Sequence, residues 1–321
     1  MEQQSLRLGF LGFGEAGQIF AKALSANGLS GMVAYSPSGA KAAEGDPVRQ
    51  RAREAGVELV SSPKALCKRA DVILTLTPGA LALPALRSVR RYLTSAHLYV
   101  DGTTNSSKAM ERAAKLLGDK APFVDAAIMG ALPLSGIKVL IVVSGSHAEQ
   151  FRARLEPYGM NVKVVGDKPG AASAMKLIRS VCMKGIAAML IESLEAAERV
   201  GLLQDAADDI ARSFDEIPFS QTIKRYVCGS AVHAERRVHE MTEAMELLKS
   251  LGSSTSMTRA TRAKLRELSQ MGLREAFGGR EPDAIAPVMQ AIVAKSPGKG
   301  GESAKENAAP ESAAASDMPP A

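Results

Sequence analysis

The sequence predicts an α/β protein, with a doubly wound parallel sheet in its N-terminal half and an all-helical domain after it. Three observations carry that reading. Up to Asp167 short apolar runs alternate with helical patterns, after Gly170 no convincing strand recurs, and at Lys295 the composition changes again. Near-continuous apolar strands separated by helices describe a parallel sheet covered on both faces. The expected boundaries are residues 1–167 for the sheet domain, 168–294 for the helical domain and 295–321 for a tail.

The elements follow in order. "LRLGFLGF" reads as the first strand, and "EAGQIFAKALSANG" as a helix with Ile19, Phe20, Ala23 and Leu24 on one face, closed by Gly28. "GMVAYS" is the second strand, followed by a basic helix near 47–55. "GVELVSS", "PKALCKRA", "DVILTLT" and a helix near 81–92 come next. "HLYVDGT", "SSKAMERAAKLLG", "PFVDAAIM" and "KVLIVVSG" complete the sheet. Beyond Gly170, helices are expected over 176–200, 205–215, 232–251, 257–271 and 284–294. The final stretch, rich in Ala, Ser, Pro, Gly and Glu with no apolar period, reads as a disordered tail.

Composition narrows the function. With 46% hydrophobic residues in 321, a sizeable core is available. Aromatics are only 4% and Trp is absent, which speaks against a nucleic-acid surface where bases stack on rings. The net charge of +6 is spread along the chain, as on a solvated surface, and attracts small anions as a secondary effect. Cys67, Cys182 and Cys228 lie far apart, as reduced thiols do, and "MEQQSLRLGF" enters a strand with no apolar leader, so a cytoplasmic protein is expected. No apolar run approaches a membrane span, so no membrane partner is expected. His233 and His239 stand six apart, wrong for two ligands on one helical face, and no metal site is expected.

The first strand runs into Gly12-Phe13-Gly14-Glu15-Ala16-Gly17, a GxGxxG placed between a strand and an amphipathic helix. In that context it is a Rossmann dinucleotide fingerprint. Gly12 permits the tight turn, Gly14 admits a pyrophosphate to the backbone, and Gly17 lets helix and strand pack closely. The helix N-terminus then offers free N–H groups and the positive end of its dipole. An NAD site places an acid about 20 residues further on, to bind the ribose 2′-hydroxyl. Here the second strand ends in Tyr35, Ser36, Pro37 and Ser38, with no acid before Glu44. Ser36, Ser38 and Lys41 would welcome a 2′-phosphate that a carboxylate would repel, so NADP is favoured over NAD. Arg49, Arg51 and Arg53 are available as helpers, although their spacing reads first as a solvated helix face.

In the helical half, "VGDKPGAASAMKLIRSVCMKG" leads through small residues to Lys176. Lys176, Ser180 and Lys184 fall at i, i+4 and i+8, with Arg179 beside them, on a helix otherwise filled with apolar side chains. On spacing alone this stripe fits a solvated face as well as a site. A lysine suits proton transfer only if its pKa is brought toward working pH by burial and neighbouring cations.

With these motifs in view, the chain resembles the β-hydroxyacid dehydrogenases, the group containing 3-hydroxyisobutyrate and 6-phosphogluconate dehydrogenases. "FLGFGEAG" is similar to that family's cofactor loop and "GAASAMKLIRS" to its catalytic stretch, with Lys176 at the lysine position. The resemblance implies Lys176 as general acid and base, assisted by Ser180. It places Thr77, and Thr103 and Thr104 of "VDGTTNSS", with the cofactor. Met129, Gly130 and Ala131 of "VDAAIMGA" take the place of its substrate loop, and Arg179 and Lys184 join them as candidates for a small anionic or polar substrate. Two departures stand on the substrate side. Met129-Gly130-Ala131 replaces the family's Ser-Gly-Gly, and Ser180 replaces its usual Asn. "KGIAAMLIESLEAAERVGL" and "HAERRVHEM" are closest to a branch with a phosphogluconate-dehydrogenase-like C-terminal domain.

The expectation is a cytoplasmic NAD(P)-linked oxidoreductase moving a hydride to or from a small β-hydroxy acid or related polar alcohol or carbonyl. An imine reductase of similar architecture and a non-catalytic dinucleotide sensor are the alternatives. The apolar sides of the lysine helix predict a homodimer built on the helical domain.

Overall fold

The computed structural model describes residues 6–296, and the expected tail lies outside the described residues except for its first two positions. The described chain forms two compact units, the first running through Lys184 and the second starting at Gly185.

In the first unit β1 (Leu8–Leu11), α1 (Glu15–Ala26), β2 (Val33–Tyr35), α2 (Pro37–Lys41), α3 (Pro47–Glu54), β3 (Glu58–Leu59), α4 (Pro63–Arg69) and β4 (Val72–Thr75) form the first half. The second half comprises α5 (Ala82–Arg90), β5 (Leu98–Asp101), α6 (Ser107–Leu117), β6 (Phe123–Ile128), α7 (Leu132–Ser135), β7 (Ile141–Ser144), α8 (Ala148–Leu155) and β8 (Val162–Gly166). The sheet has eight strands in the order β3-β2-β1-β4-β5-β6-β7-β8. Chain order reverses on either side of β1, the doubly wound arrangement that opens a crevice beyond the strands' C-terminal ends.

Alternation across the pleat sorts the core into two layers. Leu8 and Phe10 of β1, Val72 and Leu74 of β4, and Leu98 and Val100 of β5 bury one face. Leu11, Ile73 and Tyr99 bury the other, against Leu66, Leu86 and Met110. Gly9 faces this second layer, where a Cβ would stand 2.7 Å from the Cβ of Ala70. The close approach of α4 to the first strand therefore requires glycine there.

The sheet is not parallel throughout. Strands β1 to β6 run parallel, but β7 pairs antiparallel with β6, and β8 follows β7. The short 129–140 connection folds back beside β6 instead of crossing over through a full helix, and antiparallel pairing results.

The long α9 (Ala171–Arg199) begins in the first unit, five residues earlier than the sequence suggested. The second unit carries its later turns and α10 (Leu203–Asp215), α11 (Phe219–Ser250), α12 (Ser256–Ser269), α13 (Leu273–Ala276) and α14 (Ile285–Lys295). Helix α11 starts well before the expected residue 232 because an apparent break lies inside it. His233 takes non-helical angles (φ −110°, ψ 16°), so two helical segments join at a kink. Cys228, Ala231, Leu273 and Val288 form the small core of this unit. No described helix is long and apolar enough to cross a membrane.

Candidate active site

The glycine loop leaves β1 in a conformation that the sequence dictates. Gly12 has φ +88°, and a Cβ there would lie 2.6 Å from the Thr77 Cγ2 and 2.9 Å from the Leu76 carbonyl. Its N–H donates to the Tyr35 carbonyl at 2.8 Å, tying the loop to the end of β2. Phe13 turns inward and meets Phe10 edge to face. At Gly14 a Cβ would meet nothing within 4 Å, so the backbone faces open space. Gly14 is also the N-cap of α1 and supplies no side-chain acceptor, which leaves the first N–H groups free, with Glu15 and Ala16 in that first turn. Gly17 passes 3.0 Å from the Phe13 ring at its would-be Cβ.

This loop forms one wall of a cavity of about 470 Å³, continued by Tyr35 at the end of β2, by Ser36, Pro37 and Ser38 beyond it, and by Thr77 and Pro78 after β4. The Thr77 hydroxyl is buried there without a hydrogen-bond partner. Free helix N–H groups, an unpartnered hydroxyl and open space at Gly14 fit the pyrophosphate and ribose of a dinucleotide. Ser36 caps α2 by accepting from the Gly39 N–H at 2.9 Å, and its hydroxyl lies 3.3 Å from that of Ser38. Lys41 departs from the sequence expectation. It is the last residue of α2, it is exposed, and it does not line the cavity, because the short helix turns it outward. Arg51 of α3 does line it, a residue that spacing had grouped with a solvated face.

Lys176 stands at a second focus in the same unit. Its Nζ donates to the Thr104 hydroxyl at 2.7 Å. Burial pushes the ammonium below its ordinary pKa of 10.5. The Thr104 loop in turn lies against the loop after β4. A Cβ on Gly79 would come within 2.3 Å of the Thr104 carbonyl, and Asn105 Nδ2 donates to the Gly79 carbonyl at 2.9 Å. Gly79 directly follows Pro78, which lines the dinucleotide cavity. The lysine is therefore joined to the cavity wall through two packed loops.

Two fully buried carboxylates hold these loops in place. Asp101 ends β5 and is in register with Asp125 of β6. Asp101 accepts from the N–H of Thr103 at 3.0 Å and from its hydroxyl at 2.7 Å. Burial raises the Asp101 pKa against those hydrogen bonds, and the nearby Asp125 charge pushes the same way. Thr103 is thus turned into the protein, and Thr104 is the member of the pair that faces the lysine. Asp125 accepts from the N–H groups of Gly170 at 2.9 Å and Ser173 at 3.0 Å, and from the Ser173 hydroxyl at 2.7 Å. Ser144 completes the set, donating to Asp125 at 3.2 Å and accepting from the Ala172 N–H at 3.0 Å. The start of α9 is capped from β6 and β7, and Lys176 follows one turn later. A negative group at that end also complements the helix dipole.

The remaining predicted residues are placed less tightly. Ser180 lies one turn beyond Lys176 and is partly buried, while Arg179 and Lys184 are exposed. None of the three side chains has a hydrogen-bond partner among the described residues. Met129 continues the β6–β7 ladder, its N–H donating to the Leu140 carbonyl at 2.8 Å, and its side chain packs against Ala127, Val142 and Ala172. Gly130 and the exposed Ala131 lead into α7. The sequence did not reveal Asp101 or Asp125 as organisers. Asp101 is one more polar residue at a strand end and Asp125 one more inside a strand, and only register shows them side by side.

Comparison with known proteins agrees with this geometry. Residues 7–166 match the NAD binding domain of 6-phosphogluconate dehydrogenase, and residues 197–268 match a domain of unknown function, DUF1932. A conserved protein of unknown function, whose structure was reported to resemble 3-hydroxyacid dehydrogenases, is 33% identical (TM-score 0.55) over 83% of this chain and 98% of its own. A conserved hypothetical protein from Sinorhizobium meliloti is 30% identical (TM-score 0.57) over 92% of this chain and 98% of its own. An imine reductase variant from Myxococcus stipitatus, in complex with NAD+, shares the fold with a TM-score of 0.70 at 20% identity, covering 89% of this chain and 99% of its own. The chain belongs to the 6-phosphogluconate-dehydrogenase-like family of NAD(P)-binding oxidoreductases, in the branch that carries the C-terminal domain of unknown function.

Proposed function

We propose that this oxidoreductase interconverts a small β-hydroxy acid, or a related polar alcohol, with its carbonyl compound, using NADP in preference to NAD. The observation that carries the proposal is the half-buried Lys176 amine, hydrogen-bonded to Thr104 and lowered in pKa by burial. A bound nicotinamide supplies the hydride or accepts it. Lys176 Nζ supplies the proton to the substrate oxygen in reduction and removes it in oxidation. Lysine suits both directions because its pKa moves with burial, whereas an arginine there would stay charged. Thr104 holds the amine by accepting one of its hydrogens. Ser180, one turn away on α9, binds the substrate oxygen. Exposed Arg179 and Lys184 draw an anionic substrate toward the lysine.

A second reading, reduction of a C=N bond, is favoured by the higher TM-score to an imine reductase. The experiment is a screen of 3-hydroxy acids, their keto forms and cyclic imines with NADPH and NADH. Turnover of a hydroxy acid that is abolished in Lys176→Ala supports the first reading. Turnover of imines alone replaces it with the second. Cofactor binding without turnover across the whole panel overturns both and leaves a dinucleotide sensor.

The protein is further proposed to act as a homodimer in the cytoplasm. On α9 the side chains of Ile178, Val181 and Ile191 are 70%, 77% and 70% exposed, an apolar display that a monomer rarely leaves uncovered. Light scattering at micromolar concentration should return twice the mass of the chain. A mass of one chain would remove the dimer.

A further inference from the structure

Helix α3 carries three arginines at alternating positions, Arg49, Arg51 and Arg53, and the structure gives them three different environments. Arg49 donates from Nε to the Ala42 carbonyl at 2.7 Å, and Arg53 pairs with Glu44 at 3.3 Å. Arg51 alone of the three lines the dinucleotide cavity, and its Nε is shielded from solvent with no hydrogen-bond partner among the described residues. A charged donor left unmatched in such a place is costly, and the cost is relieved only by an acceptor arriving from outside the chain.

The surroundings of Arg51 define that acceptor. Ser36 and Ser38 line the same cavity, with their hydroxyls 3.3 Å apart. Ser36 accepts from the Gly39 N–H, and the Ser36–Ser38 contact can be donated from either side, so one of the two hydroxyl hydrogens is left to donate to a ligand. Among the described residues no Asp or Glu lines the cavity. Pro37 and Val48 give it apolar walls, which strengthen whatever charge interaction forms inside. A ribose 2′-hydroxyl, being itself a donor, is held by a carboxylate, and none lines the cavity among the described residues. A phosphate monoester brings several acceptor oxygens and up to two negative charges, and a planar guanidinium matches it with paired N–H groups.

We propose that Arg51, reaching across from α3, is the residue that selects the adenosine 2′-phosphate, with Ser36 and Ser38 as its neutral partners. The inference rests on the NADP preference proposed above and adds the residue responsible for it. It also replaces Lys41, which the structure directs to solvent, as the cation of the subsite.

Titration of NADPH and NADH fluorescence against the wild-type chain, Arg51→Ala and Arg51→Lys, at one fixed ionic strength, tests the assignment. The expected result is that Arg51→Ala weakens NADPH about 10- to 100-fold and changes NADH by less than about threefold, as expected for one lost charge-assisted contact. Arg51→Lys should recover part of the loss. Competition by 2′,5′-ADP should weaken in parallel, while competition by 5′-ADP stays the same. Equal weakening of both cofactors, or an unchanged NADPH affinity, overturns the assignment. A wild-type chain that binds the two cofactors equally overturns it as well, yet leaves dinucleotide binding standing. A wild-type chain that binds neither removes the cofactor reading itself, so the two failures are distinguishable.

Discussion

Asp125 in the first unit and Glu192 in the second are both buried, and each caps a helix to which it does not belong. Asp125 reaches from β6 to the N–H groups of Gly170 and Ser173 at the start of α9. Glu192 reaches from α9 to the N–H groups of Met257 and Thr258 at 2.9 and 2.8 Å, and to the hydroxyls of Thr258 and Ser254. The physical device is the same: an anion satisfies orphan donors and complements a helix dipole. The surroundings differ. Asp125 lies in β6 in register with Asp101, the last residue of β5, and caps the turn of α9 that precedes Lys176. Glu192 opens onto an apolar groove of about 410 Å³ lined by Met189, Val200, Leu247 and Leu251. A buried carboxylate is therefore no mark of a site by itself. The mark is an ionisable group nearby, here Lys176, whose proton is not already committed to an opposite charge.

The largest effect is expected at Lys176. Lys176→Ala should lower turnover by about 10²- to 10⁴-fold, the range for loss of a positioned acid or base. NADPH affinity should stay within about threefold, since the cavity wall is untouched. Steady-state kinetics beside fluorescence titration measures both. The pH profile sharpens the point. Burial lowers the Lys176 pKa from 10.5, so reduction, which needs the ammonium, should decline as pH rises through that lowered value. Oxidation, which needs the free amine, should rise over the same interval. Parallel profiles in the two directions would take the lysine out of proton transfer.

Next in size is Asp125→Ala. It strands two buried N–H groups and the Ser173 hydroxyl at once, and a cost of about 3–5 kcal/mol is expected from the loss of a buried charged partner. Denaturant unfolding of the first unit reads it. A change below about 1 kcal/mol would mean that Ser144 alone can hold the start of α9.

How much of this was legible in sequence follows from what each feature needs. The glycine loop was legible because Gly12 occupies a positive-φ position and packs where a Cβ cannot fit. The Lys176 turn was legible from its small-residue approach, since Gly170 at φ +102° passes against Ser107. The reversed direction of β7 was not legible, because Ile141 to Ser144 are buried whichever way the strand runs. Nor was the contrast among Arg49, Arg51 and Arg53, as alternate positions on a short helix read alike until their partners are seen. The 219–231 stretch escaped as helix because its apolar period loses phase at the His233 kink.

The smallest effect is expected at Glu192, and it separates a structural cap from a catalytic one. Burial alone would raise this carboxyl, but hydrogen bonds from Thr258, Met257 and Ser254 outweigh it and hold the pKa below its ordinary 4.5. A depressed carboxyl contributes stability above its unfolded pKa and loses it as pH falls through the folded value. The second unit should therefore weaken below about pH 4.5, with Glu192 responsible for part of the slope. Glu192→Gln should cost about 1–2 kcal/mol at neutral pH, the scale of a lost N-cap, and converge on the wild type as the pH falls through the lowered value of the Glu192 carboxyl. Hydrogen exchange at the Met257 and Thr258 amides reports the cap directly, and protection there should drop in the variant while cofactor affinity does not move. Exchange unchanged at both amides would show that α12 holds its first turn without the carboxylate, and Asp125 would then be the better buried cap for the reasons its own surroundings supply.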